Sequence, residues 1–248
     1  ATRTAPLAPS RPRAARLTEH TIEIVSDSGE GAQKCGQIFG AVCAKMGNGV
    51  WTVEIIPAEI QPPPRVPEGA SGYRIRIGEG PITNWGDATN LALAFNEQVL
   101  LARHRLGALA PDAVLLVEDK WATDDDADIR AAWEQGMTEL SHREYRIIPV
   151  PMEAECLTLV DNPRKGKNMF ALGMLACIYG RDMERIKEQI AHAFRKKSEA
   201  VFEQNVALLK LGYAWAEEHI DFRIEVKPAP ISEALVVMNG NEALGLGA

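Results

Sequence analysis

Thr21-Ile22-Glu23-Ile24-Val25-Ser26-Asp27-Ser28-Gly29-Glu30-Gly31-Ala32-Gln33-Lys34 is the stretch on which the reading of this chain turns. Its first five residues form a strand-like run, and Ser26 to Gly31 is turn chemistry. Apolar residues then recur with helical spacing at Ile38, Phe39, Val42, Cys43 and Met46. Strand, glycine turn and helix together present bare backbone N–H groups to an anion. The glycines allow a tight turn and close approach, and the positive end of the helix dipole favours negative charge. The stretch therefore points to a phosphorylated cofactor or substrate.

Two other readings stand beside this one. The dinucleotide fingerprint asks for a third glycine where this chain has Lys34, and for an acid about 20 residues on, a place Glu54 fills in the strand-like Val50–Ile56. That reading makes the chain a nucleotide-dependent dehydrogenase subunit. The other makes the turn a ligand-free corner of a structural α/β subunit.

Outward from this stretch, strands and helices alternate. Gly72–Ile77 alternates polar with apolar residues and reads as a strand with one wet face. Asn90–Phe95 and Ala113–Val117 read as buried strands with polar carboxyl ends at Asn96-Glu97 and Glu118-Asp119-Lys120. Gln98–Leu106 and Ile129–Leu140 read as helices, and Tyr145–Pro151 as a further strand. The acids Asp124 to Asp128 suit a helix N-terminus better than a metal loop. This alternation predicts an α/β fold, a three-layer mostly parallel sheet, with a helical C-terminal part from Lys167 onward. Within that part Asn168–Ala176 is almost wholly apolar, so its helix is expected to be buried.

Composition excludes several classes. A net charge of −7 argues against a general nucleic-acid binder, and no apolar stretch is long enough to span a bilayer. The four cysteines, Cys35, Cys43, Cys156 and Cys177, form no C-x-x-C pair, which speaks against a zinc or iron–sulfur site in this chain and for a cytoplasmic setting. The five histidines are scattered and none is assigned to catalysis.

Three units are expected. Residues 1–17, basic and interrupted by prolines, read as a disordered tail, and 18–222 as the α/β domain. Residues 223–248 read as a linker, marked by Pro228-Ala229-Pro230, and the beginning of a second domain with a strand over Leu235–Met238. A strand and turn with nothing to pack against is no domain, so the chain is expected to be part of a longer polypeptide or to meet a separately encoded partner.

Several segments, in order, resemble the γ module of 2-oxoacid:ferredoxin oxidoreductases. Gly29-Glu30-Gly31-Ala32-Gln33 is similar to that family's G-x-G-x-Q turn, Leu93–Glu97 to its central strand end, and Gly166–Gly173 to its late helix. Gly240-Asn241-Glu242-Ala243-Leu244 resembles the opening of the α module's pyrimidine-binding domain, as in fused γ–α subunits of the 2-oxoglutarate type. Ile60–Arg65 departs from the family pattern, replacing a glycine-rich turn.

The resemblance implies an enzyme that decarboxylates a 2-oxoacid oxidatively, reduces ferredoxin and transfers the acyl group to coenzyme A. It places coenzyme A on this chain. Thiamine diphosphate, magnesium and an iron–sulfur cluster fall to the α pyrimidine domain and a β subunit. On that reading the loop residues Ser28, Gly29, Glu30, Gly31 and Gln33 supply backbone donors or orient the loop. Lys34, Arg164, Lys165 and Lys167 are candidate phosphate cations, and Asn168 faces the pantetheine or adenine. No catalytic residue and no metal ligand is expected here.

Overall fold

The computed structural model describes residues 14–58, 63–162, 164–230 and 236–247. A six-stranded sheet has the order β3-β4-β2-β5-β6-β7. Its strands are β2 (Glu19–Asp27), β3 (Gly49–Ile55), β4 (Ala70–Gly78), β5 (Thr89–Ala94), β6 (Leu109–Glu118) and β7 (Arg146–Val150). β2, β5, β6 and β7 pair in parallel, while β4 runs antiparallel between β2 and β3. The expected mostly parallel α/β sheet is therefore present.

Period-two alternation on β2 assigns the two faces. Ile22 and Ile24 join a core formed with α1 (Ala32–Lys45), α5 (Lys167–Ile178), α6 (Met183–Ala193) and α7 (Glu199–His219). Val25 joins the opposite core, with α2 (Glu97–Arg105) and Leu140 of α3 (Ala127–Ser141). These are the three layers. The short α4 (Met152–Cys156) follows β7. Asp126 caps α3, its carboxylate accepting from the Asp128 N–H at 2.8 Å.

After β2 the chain turns toward β3 at one edge; after β5 it turns toward β6 and β7 at the other. The carboxyl ends of β2 and β5 thus flank a topological switch point, where open α/β sheets bind ligands. The glycine turn lies at this point.

Four expectations are corrected. Residues 14–17, placed in a disordered tail, form β1 (Ala14–Leu17), paired in parallel with β8 (Arg223–Val226). β8 itself was placed in the linker, yet Ile224 and Val226 are buried in the main core, so the 222/223 boundary cuts an element of the fold. The rest of the basic segment, residues 1–13, lies outside the described residues.

β4 has no wet face along its middle. Arg74 is buried, bonding the fully buried Glu23 carboxylate at 2.8 Å, and Arg103 from α2 reaches the same carboxylate at 2.9 Å. A polar position in an alternating strand marks a partner for charge, and here the partner is a carboxylate rather than water. In the last segment, residues 236–238 are not a strand, Leu235 lies outside the described residues, and Gly240–Gly247 forms an exposed helix, α8.

Candidate functional site

Gly29 and Gly31 both adopt left-handed backbone, with φ of +87° and +91°. Gly31 is the N-cap of α1 and supplies no side-chain cap, so the first-turn N–H groups of that helix are left without a capping side chain. A Cβ at Gly31 would come within 2.6 Å of Asn168 Nδ2. The two segments singled out in the sequence, 28–34 and 165–168, therefore meet although 137 residues separate Glu30 from Lys167.

Glu30 pins the turn. One carboxylate oxygen accepts from the Asp27 N–H at 3.2 Å, and the other accepts from Lys167 Nζ at 2.9 Å. Lys167 opens α5, and its side chain is only 2% exposed. Its ammonium lies 5.6 Å from the Phe95 ring and 3.8 Å from Glu153. The ammonium of Lys167, a candidate phosphate cation, is paired with the loop's own glutamate and so ties α5 to the turn.

The remaining predicted residues take separate places. Gln33 donates to the Ile55 carbonyl at 3.3 Å and ties the first turn of α1 to the end of β3. Lys34 donates to Gln37 at 2.9 Å, and Gln37 in turn donates to Glu54 at 3.3 Å. Ser28, Arg164 and Lys165 are exposed. Asn168 is half-buried, with its Oδ1 accepting from the Met169 N–H.

The structure adds a polar network along the carboxyl edge of the sheet. Arg65, itself at φ 58°, donates its N–H to both Asp27 oxygens at 3.0 and 2.9 Å. Its guanidinium pairs with the fully buried Glu97 and lies 4.2 Å from the Trp121 ring centre. Trp121 donates to the Phe95 carbonyl at 3.2 Å, and Lys120 bonds Glu153 at 2.8 Å. Glu118 accepts from the backbone N–H groups of Lys120 and Glu153 at 3.2 and 2.9 Å. Burial pushes the Glu118 carboxyl up to about 7, against the opposing pull of Lys167. The three cations of this edge, Arg65, Lys120 and Lys167, pair with Glu97, Glu153 and Glu30, while Asp27 and Glu118 are held by backbone N–H groups.

Sequence reasoning assigned no role at this edge to Arg65, Lys120, Trp121 or Glu153. The available signal was the set of polar residues closing buried strands, Asn96-Glu97 and Glu118-Asp119-Lys120. Their convergence depends on strand order, which no local pattern encodes. Among the described residues, no group of three or more His, Cys, Asp or Glu is placed to hold a metal ion, and all four cysteines are buried free thiols. No described helix is long and apolar enough to cross a membrane.

This geometry, a glycine turn at a switch point closed over by a late buried helix, coincides with a family match. The model for pyruvate ferredoxin/flavodoxin oxidoreductase covers residues 21–215. This chain belongs to that oxidoreductase family. It is 31% identical over 246 residues to 2-oxoglutarate oxidoreductase subunit KorA of Mycobacterium tuberculosis, covering 94% of this chain and 37% of that relative. The chain thus spans little more than a third of the length of the curated relative.

Among solved structures, its fold is similar to 2-oxoglutarate:ferredoxin oxidoreductase from Magnetococcus marinus with 2-oxoglutarate, coenzyme A and succinyl-CoA bound. That likeness has a TM-score of 0.72 and 24% identity, covering 93% of this chain and 37% of the other. It is also similar to the gamma subunit of a keto/oxoacid ferredoxin oxidoreductase from Geobacter sulfurreducens, with a TM-score of 0.57 and 17% identity, over 81% of this chain and 97% of the other. At these identities the oxidoreductase likenesses establish the fold.

Proposed function

We propose that this chain is the γ-type, coenzyme-A-binding unit of a 2-oxoacid:ferredoxin oxidoreductase acting on 2-oxoglutarate. The reaction is oxidative decarboxylation of the 2-oxoacid to its acyl-CoA with reduction of ferredoxin. The observation that carries this reading is the approach of Asn168 to Gly31, which joins the two family-like segments into one cradle that a single Cβ would fill. Family membership and the 2-oxoglutarate relative support the reaction class.

The chain's own part is binding and positioning. The Gly29–Gly31 turn offers backbone to a ligand, Glu30 and Lys167 hold that turn rigid, and Asn168 offers an amide beside it. Thiamine diphosphate, magnesium and iron–sulfur clusters belong to the partner units, an α pyrimidine-binding domain and a β subunit, through which ferredoxin is reached. Residues 14–226 form the γ-type unit, and the segment beyond leads toward the pyrimidine-binding domain. Four free thiols fit a cytoplasmic setting.

Gly31→Val in the purified complex tests the assignment. Coenzyme A affinity by calorimetry is expected to fall at least tenfold while the circular dichroism spectrum stays unchanged. Wild-type affinity in a folded variant would overturn the assignment.

A further inference from the structure

Arg65 closes the segment that departs from the family's glycine-rich turn; Ile60–Pro62 of that segment lie outside the described residues. Its φ of 58° is left-handed backbone, which a glycine takes freely and an arginine does not. Among the described residues it is the sole non-glycine with such a φ. A side chain persists there when its surroundings over-determine it. Three contacts do so. The Arg65 backbone N–H donates to both Asp27 carboxylate oxygens at 3.0 and 2.9 Å, its guanidinium pairs with the buried Glu97, and it lies 4.2 Å from the Trp121 ring centre. Asp27 ends β2, Glu97 opens α2 just past β5, and Trp121 follows β6, so one residue ties three strand ends together.

From Asp27 the contacts run on through the glycine turn. The Asp27 N–H donates to one Glu30 oxygen at 3.2 Å, and the other accepts from Lys167 at 2.9 Å. Lys167 lies 3.8 Å from Glu153, which bonds Lys120 at 2.8 Å. Lys120 Nζ lies 4.4 Å from the centre of the same Trp121 ring that Arg65 covers. The circuit closes on itself. Lys167 holds the Glu30 side of the turn, and Arg65 holds the Asp27 side.

We infer that Arg65 is a positioning residue for coenzyme A. Its ion pair with Glu97 keeps its backbone N–H on Asp27, and Asp27 with Glu30 holds the Gly29–Gly31 turn in the conformation that receives the coenzyme. An arginine anchored by charge thus does by fixation what a glycine-rich turn does by adaptability. This rests on the coenzyme A reading above. A turn ordered before binding loses less entropy on binding, so the effect belongs to coenzyme A affinity and not to the handling of the 2-oxoacid.

Steady-state kinetics of the intact complex test the inference. Arg65→Gly keeps the N–H and the backbone geometry, and pairing it with Glu97→Gln leaves no buried charge stranded. In this double variant the KM for coenzyme A is expected to rise at least tenfold, the KM for 2-oxoglutarate to stay within twofold, and kcat to fall less than threefold. Hydrogen exchange at residues 29–31 is expected to quicken. Arg65→Lys, which restores a cation beside Glu97, is expected to bring the coenzyme A KM to within threefold of wild type. Glu97→Gln alone decides the matter if the double variant does not assemble, with an expected rise of at least threefold. A coenzyme A KM within twofold of wild type in the variant that decides overturns the inference. A fall in kcat with both KM values unchanged also overturns it, because lost structure alone has that effect. Either result beside a tenfold loss of affinity in Gly31→Val removes this inference and leaves the coenzyme A reading standing. A wild-type complex whose turnover is independent of coenzyme A removes both.

Discussion

Glu118 is fully buried at the end of β6, with two backbone N–H donors and a lysine nearby, yet burial holds its carboxyl at about 7 rather than 4.5. A carboxyl raised in the folded state contributes stability that is full below pH 4.5 and lost as pH rises through 7. Glu118→Gln removes this dependence. Between pH 4.5 and 8, the unfolding free energy of the variant should gain on wild type by on the order of 3 kcal/mol, read from urea titrations. A constant difference across that range would refute the assignment. His20 acts with opposite sign: burial lowers it to about 4, so its contribution is present above pH 6.5 and lost as pH falls through 4. Comparing the variant with wild type isolates Glu118 from it. At this scale the sequence exposed Gly29 and Gly31 directly, because only a special backbone needs two glycines there. It did not expose the ammonium of Lys167, because the Glu30 that holds it is distant in sequence.

Helix α5 shows how elements are placed. Its near-continuous apolar run predicted burial, and every residue from Met169 to Ile178 is buried. The face that meets α7 is set by glycines from both helices. A Cβ at Gly173 would lie 2.0 Å from the Leu209 carbonyl oxygen, and one at Gly212 would lie 1.9 Å from that of Phe170. Neither backbone oxygen can move aside without parting the helices. Gly212→Ala should therefore cost about 3 kcal/mol of stability, measured by chemical denaturation. A loss below about 1 kcal/mol would mean that the helices separate readily. Because α5 carries Lys167 and Asn168, the same variant is expected to loosen the glycine turn and, on the proposed function, to weaken coenzyme A binding. Strand β4 shows the opposite limit of legibility. Its alternation was visible, but alternation alone does not distinguish a solvent face from one that meets Glu23 and Arg103.

Across the whole molecule, β1 and β8 join the two ends of the described α/β unit in a four-residue parallel ladder, with Ala15 opposite Ile224. Removing residues 1–17 leaves β8 unpaired, and the melting temperature is expected to fall by roughly 5 °C while the main sheet persists. An unchanged melting temperature would show that the ladder contributes nothing.

Local chemistry by itself determined the order of elements from β2 through α7, the glycine turn and the burial of α5, because turn preference, apolar period and helix-stop signals act over a few residues. It also supported membership of the family through the order of short segments. Only the tertiary structure decided that β4 lies between β3 and β2, that β1 pairs with β8, that Lys167 closes on Glu30, and that Arg65 meets Asp27, Glu97 and Trp121. Each of these joins residues far apart in the chain. Such pairings are selected by the simultaneous packing of all layers and the neutralisation of buried charge, conditions that no single stretch of sequence contains.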